Sequence, residues 1–74
     1  MVTLTDIQQA QDRIRTHIHR TAVLTSRSLN ELSGAKLFFK CENFQRAGSF
    51  KIRGATNAVE LLPQDDLDRG VATT

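Results

Sequence analysis

The spacing of apolar residues changes several times along this chain, and each change marks an element. Ile7, Ala10, Ile14 and Ile18 recur every three or four positions, with Gln9, Asp12, Arg13 and Thr16 on other sides. That period predicts one amphipathic helix over roughly 6–18. Thr5-Asp6-Ile7-Gln8 reads as its capping box, the Thr5 hydroxyl accepting from the Gln8 backbone while the Gln8 side chain reaches back. The stretch HRTAVLTSRS, 19–28, has no period and reads as a connector. A short helix over about 27–33 follows, and Gly34 is placed to stop it in the left-handed conformation. Leu37, Phe39 and Cys41 then alternate with Lys36, Phe38, Lys40 and Glu42, the two-residue period of a strand. Phe38 breaks the alternation, as a strand partly buried on both faces does. Residues 43–48 form a loop. Ser49 can cap a helix running to about Leu62, and Pro63 marks its end. Asp65 to Arg69 suggests one more helical turn closed by Gly70, and Val71 opens a second strand candidate.

Strand, helix and strand make a βαβ unit, which implies an α/β fold with parallel pairing and a right-handed crossover. A parallel sheet needs both faces covered and several strands. One strand and the start of another do not supply that, so residues 1–74 read as the N-terminal part of a larger α/β domain, incomplete at the C-terminus. Composition supports this. Seven of the 29 apolar residues are Ala, Trp and Tyr are absent, and all four Phe fall between 38 and 50. So thin a core normally needs a staple. The single cysteine, Cys41, excludes an internal disulfide, and no metal-ligand cluster is evident. A reducing, cytoplasmic setting fits. His17 and His19, two apart, do not share a helix face and read as ordinary helix-end residues. There is no secretory h-region and no run of membrane-spanning length. The net charge of +2 is too small to mark a basic tail.

One residue conflicts with its helix. With Lys51 set at zero and 100° per residue, Ala58 and Leu62 fall beside it, Gly54 and Leu61 to one side, and Ala55, Val59 and Ile52 to the other. The arc is apolar and centred on Lys51, while Arg53, Thr56, Asn57 and Glu60 fill the opposite half. Lys51 is therefore predicted to point inward. Burial and the positive end of the helix dipole both favour a neutral amine there, which is a nucleophile able to form a Schiff base. The alternative is a snorkelling lysine, its stem on apolar surface and its ammonium in water. Geometry alone leaves both open. Gly54 in the small-residue lane suits either a flat ligand or a very close approach to a sheet.

The segment LFFKCENFQRAGSFKIRGATNAV, 37–59, resembles the cofactor-lysine segment of the fold-type II pyridoxal-phosphate enzymes, in the threonine dehydratase and serine racemase branch. That branch carries K-x-E-x-x-Q-x-x-G-S-F-K-x-R-G-A, matched here by Lys40, Glu42, Gln45, Gly48, Ser49, Phe50, Lys51, Arg53, Gly54 and Ala55. HRTAVLTS, 19–26, resembles the family's loop before its first strand. Ile52 stands where cysteine and threonine synthases carry Asp. Family members often have Thr or Pro at the position of Ala47, and Pro at that of Ala22. The resemblance implies pyridoxal 5'-phosphate as cofactor, Lys51 as the Schiff-base lysine that also takes the substrate α-proton, and Phe50 against the cofactor ring. It implies that Gly48 and Ser49 shape the turn that aims Lys51, and that the substrate is serine or threonine, dehydrated or racemised. It also implies a homo-oligomeric parent enzyme. The family's S-S-G-N-H segment, Gly-rich phosphate loop and ring-nitrogen partner fall beyond Thr74, so this chain alone is expected to be inactive.

Other chemistries are less well supported. Cys41 reads as a packed strand residue, and Asp65 and Asp66 as a solvated helix start. Lys36, Lys40, Arg46, Lys51 and Arg53 interleave with the four Phe and could line a groove for single-stranded nucleic acid. No RNA-binding motif is matched, Phe39 reads as core, and Glu42 interrupts the patch. An inert or interaction-only fragment, pairing an open sheet edge with another chain, is the remaining alternative.

Overall fold

A computed structural model describes residues 1–73. In chain order the elements are helix α1 (Leu4–Ile14), strand β1 (Val23–Leu24), helix α2 (Arg27–Ser33), strand β2 (Phe39–Lys40), two 3-10 turns (Glu42–Phe44 and Arg46–Gly48), helix α3 (Lys51–Glu60) and helix α4 (Gln64–Arg69). No helix among the described residues is long and apolar enough to cross a membrane.

Helix α1 starts and stops earlier than its periodicity predicts. The capping box is built on Thr3, not Thr5. Thr3 Oγ1 accepts from the Asp6 backbone N–H at 3.2 Å, and an Asp6 carboxylate oxygen accepts from the Thr3 N–H at 2.8 Å. A carboxylate at the third helical position outcompetes the Gln8 amide because it also complements the helix dipole. The same two bonds, backbone first, hold the Asp6 carboxyl below its usual range. Helix α2 forms where expected. Ser26 Oγ caps it by accepting from Leu29 N–H at 3.3 Å, and Gly34, at φ 72°, ends it with its N–H on the Asn30 carbonyl.

The sheet departs further from expectation. The aperiodic connector contributes β1, and β1 pairs antiparallel with β2, Val23 opposite Lys40 and Leu24 opposite Phe39. The ladder extends by one bond from Cys41 N–H to the Ala22 carbonyl at 2.9 Å. The chain turns back through α2, which brings the two strands together in opposite directions. The predicted strand over 36–42 shrinks to Phe39–Lys40, because only these residues find a backbone partner. Residues 71–73 form no strand, and Thr74 lies outside the described residues. Among the described residues there is thus no parallel pair and no completed βαβ unit. A strand at 71 has no neighbour here to accept its backbone hydrogen bonds.

Burial is sparse. Ile14 and Cys41 are the buried apolar residues, and Thr21 and Gln45 the buried polar ones. The radius of gyration is 16.4 Å, against about 11 Å for a compact domain of this length. The chain is therefore an open arrangement in which hydrogen bonds share the work of a missing core. Gln45, 4% exposed, is central to this. Its Oε1 accepts from His19 N–H at 2.8 Å and its Nε2 donates to the His19 carbonyl at 2.7 Å. One side-chain amide thus replaces a strand partner for the connector. Gln45→Ala leaves both His19 backbone groups unpaired in a half-dry site. Hydrogen exchange at the His19 amide is expected to accelerate by about tenfold or more, equivalent to one lost hydrogen bond of about 1.4 kcal/mol. Unchanged protection would show that another group holds the connector.

Candidate active site

Helix α3 begins two residues after an extended Ser49; Phe50 holds the N-cap position with no side-chain cap, and Ser49 Oγ accepts from the Lys51 backbone N–H at 3.4 Å from one residue further back than a cap on this helix would sit. The turn before it is bent by two successive positive φ angles, 61° at Ala47 and 71° at Gly48. Glycine adopts such angles freely, whereas an L-residue with a Cβ pays about 1–2 kcal/mol. Proline, with φ locked near −65°, cannot take the Ala47 conformation. The turn delivers the chain from the Gln45 anchor into the first turn of α3, where Lys51 sits.

Which side of α3 faces the protein is the main correction to the sequence reading. Ile52, Arg53, Thr56, Asn57 and Val59 are half-buried, while Lys51, Gly54, Ala55 and Ala58 are exposed. At 100° per residue the packed face is centred about 160° from Lys51. The cause is the set of partners available to the polar stripe. Arg53 Nη2 donates to Glu42 Oε2 at 3.0 Å, and Arg53 Nε donates to Glu42 Oε1. Arg13 Nη1, on α1, donates to Asn57 Oδ1 at 2.6 Å, and His17 Nε2 lies 3.3 Å from Glu60 Oε1. Arg53, Asn57 and Glu60 stand at i, i+4 and i+7, so one stripe of α3 is fastened at three points to what precedes it. Polar groups that find charged partners can turn inward. The small-residue lane has no such partner: a Cβ added at Gly54 meets nothing within 4 Å. Neither a sheet nor another element covers it among the described residues.

Lys51 is therefore exposed, and no hydrogen bond or ion pair of its amine occurs among the described residues. The burial expected to strip its proton is not supplied by residues 1–73. Phe50, at 65% exposure, also lies open beside it. An accessible primary amine, an aromatic ring next to it and an unobstructed lane of small residues fit an aldehyde-bearing aromatic cofactor as far as one face of a site can.

The residues that hold this arrangement went unrecognised as a group in the sequence. Glu42 is their hub. Besides the Arg53 fork it accepts from the Thr21 hydroxyl at 2.5 Å, and Lys40 Nζ donates to the Thr21 carbonyl at 2.6 Å. The Arg53 hydrogen bonds first, and the Thr21 hydroxyl second, lower the Glu42 carboxyl from an ordinary 4.5 to about 2, against the opposing effect of burial. Arg53 is raised in turn, chiefly by the same bond. Lys40, Glu42, Gln45 and Arg53 all belong to the motif quoted above. Their regular spacing was the signal available, but pattern alone did not say that they bond to one another and to 19–21. Cys41 is buried just beyond β2, with Sγ 3.5 Å from the Phe39 carbonyl oxygen. Asp66 pairs with Arg69 along α4. Of the five cations that could line a nucleic-acid groove, Lys40 and Arg53 are engaged within the chain.

Two outcomes follow for this region. Because the Glu42 carboxyl is depressed in the folded chain, the stability it contributes is complete above about pH 4.5 and is lost as the pH falls towards 2. In Arg53→Ala the Glu42 midpoint, read from the carboxyl-carbon resonance, is expected to move up towards 4.5, and a midpoint still near 2 would remove Arg53 as the cause. Ala47→Gly is expected to stabilise by up to about 1 kcal/mol in a urea titration, since the left-handed penalty disappears. A loss of stability there would mean that the Ala47 methyl makes a favourable contact.

Comparison with known proteins agrees with this geometry. The pyridoxal-phosphate dependent enzyme family matches residues 14–74. Serine racemase of Dictyostelium discoideum is 54% identical over 72 residues, covering 97% of this chain and 22% of its own length. Beta-hydroxyaspartate dehydratase of Paracoccus denitrificans is 58% identical over 71 residues, covering 96% of this chain and 22% of its own. The crystal structure of the Dictyostelium serine racemase superimposes with a TM-score of 0.88 over 95% of this chain and 23% of that one. A threonine deaminase from T.th. gives a TM-score of 0.78 at 44% identity, over 84% of this chain and 21% of that one. The chain thus spans about a fifth of the length of the curated relatives it matches. On the matched residues and these superpositions, the chain belongs to the pyridoxal-phosphate dependent enzyme family of fold-type II, in the company of serine racemases and threonine dehydratases.

Proposed function

We propose that this chain is the N-terminal segment of a pyridoxal 5'-phosphate-dependent ammonia-lyase or racemase acting on 3-hydroxy amino acids such as serine and threonine, with Lys51 as the cofactor lysine. The observation that carries the reading is the unbroken match of Gly48-Ser49-Phe50-Lys51 and its supporting residues, in a segment that superimposes on serine racemase. The named relatives act on serine, threonine or hydroxyaspartate, which share a hydroxyl on the β-carbon. When bound, the cofactor supplies the electron sink that draws charge from the substrate α-carbon. Lys51 Nζ would hold the cofactor at its aldehyde and would take the substrate α-proton, and Phe50 would lie against the ring. The uncovered lane of Gly54, Ala55 and Ala58 is the surface on which the remainder of the domain closes. That closure dries Lys51, which residues 1–73 leave in water. The parent protein works as a homo-oligomer in the reducing cytoplasm, where Cys41 stays a thiol.

Residues 1–74 by themselves neither hold the cofactor phosphate nor turn over substrate. The test joins this segment to the remaining four-fifths of the Dictyostelium serine racemase, in place of the matching part. The chimaera is expected to bind pyridoxal phosphate with visible absorbance and to convert serine. Lys51→Ala abolishes both, by at least about a thousandfold in turnover. Borohydride trapping of the cofactor on another lysine in that variant would overturn the role of Lys51. Conversion of serine by the 74-residue chain alone would overturn its inactivity.

A further inference from the structure

We infer that Glu42 is a positioning residue for Lys51, acting through Arg53 to fix the roll of helix α3 about its axis. The inference rests on the proposed role of Lys51 and goes beyond it, because Glu42 touches neither the lysine nor the surface on which the cofactor would lie.

Three observations support it. Arg53 follows Lys51 by two residues, so their side chains leave α3 about 200° apart. A clamp on Arg53 therefore sets the direction in which Lys51 points without occupying its space. The clamp is a two-point fork: Nε and Nη2 of one guanidinium meet the two carboxylate oxygens of Glu42. A single bond permits rotation about itself, whereas two parallel bonds to a planar group do not. Finally, Glu42 does not float. Its side chain is 17% exposed, and the Thr21 hydroxyl, from the connector that enters β1, donates to it at 2.5 Å. The roll of α3 is thus referred to β1 and β2 rather than to a mobile loop.

The size of the effect follows from the helix radius. A side-chain tip lies about 6 Å from the axis, so a 20° roll moves it by about 2 Å. A misplacement of 1 Å at a reacting centre costs up to about a hundredfold in rate. The bond from Arg13 to Asn57 and the pair of His17 with Glu60 limit the roll further along α3, but they lie six and nine residues from Lys51, about one and a half to two and a half turns away. Glu42 governs the turn that carries the lysine.

The test uses the full-length holoenzyme carrying this segment, or the chimaera described above. Lys51→Ala must first remove the visible absorbance of bound cofactor; if it does not, the reading of Lys51 has failed and not the inference about Glu42. With that established, turnover is measured per mole of cofactor-loaded protein, so that a loss of folded protein does not count. Glu42→Ala is expected to lower kcat by about tenfold to a hundredfold with KM changed by less than about threefold, and to shift the pH profile of kcat. Glu42→Gln, which keeps an acceptor for Arg53, is expected to recover much of the loss. Should Glu42→Ala fail to fold, Arg53→Lys decides: it keeps the charge, loses the fork, and is expected to lose about tenfold in kcat. A kcat and pH profile unchanged in loaded Glu42→Ala, or in Arg53→Lys where that variant decides, would overturn the inference and leave Glu42 a purely structural anchor. Failure of Glu42→Gln to recover any activity where Glu42→Ala has lost it would overturn the part assigned to Arg53.

Discussion

The arrangement of this chain depends on the fork between Arg53 and Glu42. Among the described residues only Ile14 and Cys41 are buried apolar side chains, so hydrophobic burial contributes little to holding α3 in place. A carboxylate just past β2 instead grips a guanidinium in the first turns of α3 and, through Thr21, the connector that precedes β1. Three segments distant in sequence meet at one side chain. The depressed titration of Glu42, to about 2, shows how strongly these donors favour its charged form. Such a pair is strong only while all its members are present. Removing one leaves the others partly dehydrated and unpaired, which costs more than the pair itself contributes.

That constraint explains why α3 turns its polar side inward. On a helix of a self-sufficient domain the apolar arc packs and the polar arc is wet. Here Arg53, Asn57 and Glu60 are occupied by Glu42, Arg13 and His17, and the lane beside Lys51 is open. The exposure of Phe50, Leu61 and Ala58 along that side is more apolar surface than one helix of a finished domain leaves in water. The elongated shape of the chain and its coverage of about a fifth of its relatives agree with this. The polar face is held by partners within residues 1–73, and the side that carries Lys51 is uncovered among them.

Much of this was legible from local signals. Gly34 ends α2, and Pro63 and Gly70 bracket the last helix, because each of these depends on one residue's own backbone preference. The motif located the candidate lysine for the same reason: it is a local string. The sheet was not legible. Val23 and Leu24 pair with residues sixteen or so positions away, and nothing periodic marks a two-residue strand. The cap of α1 was displaced by two residues because two Thr compete, and the choice turned on which acceptor stands three residues on. The facing of α3 differs from the predicted arc at Lys51, Gly54, Ala55 and Ala58, which are exposed, while Ile52 and Val59 of that arc are half-buried. The hydrophobic pattern carries no information about the partners of Arg53 and Asn57, which decide the packed face among residues 1–73.

The exposed amine of Lys51 bears on how the chemistry is divided. An exposed amine is surrounded by solvent, and a reactive one needs dehydration. Residues 1–73 give Lys51 a strained turn behind it and a fixed direction, and they give it no cover. If Lys51 acts as proposed, orientation is built into this segment and dehydration comes from elsewhere. The two requirements are separable in principle, since the fork that aims the lysine lies on the opposite side of α3 from the surface that must close over it. Changes at the closing surface can then alter how dry the amine is without altering where it points. Changes at Glu42 do the reverse.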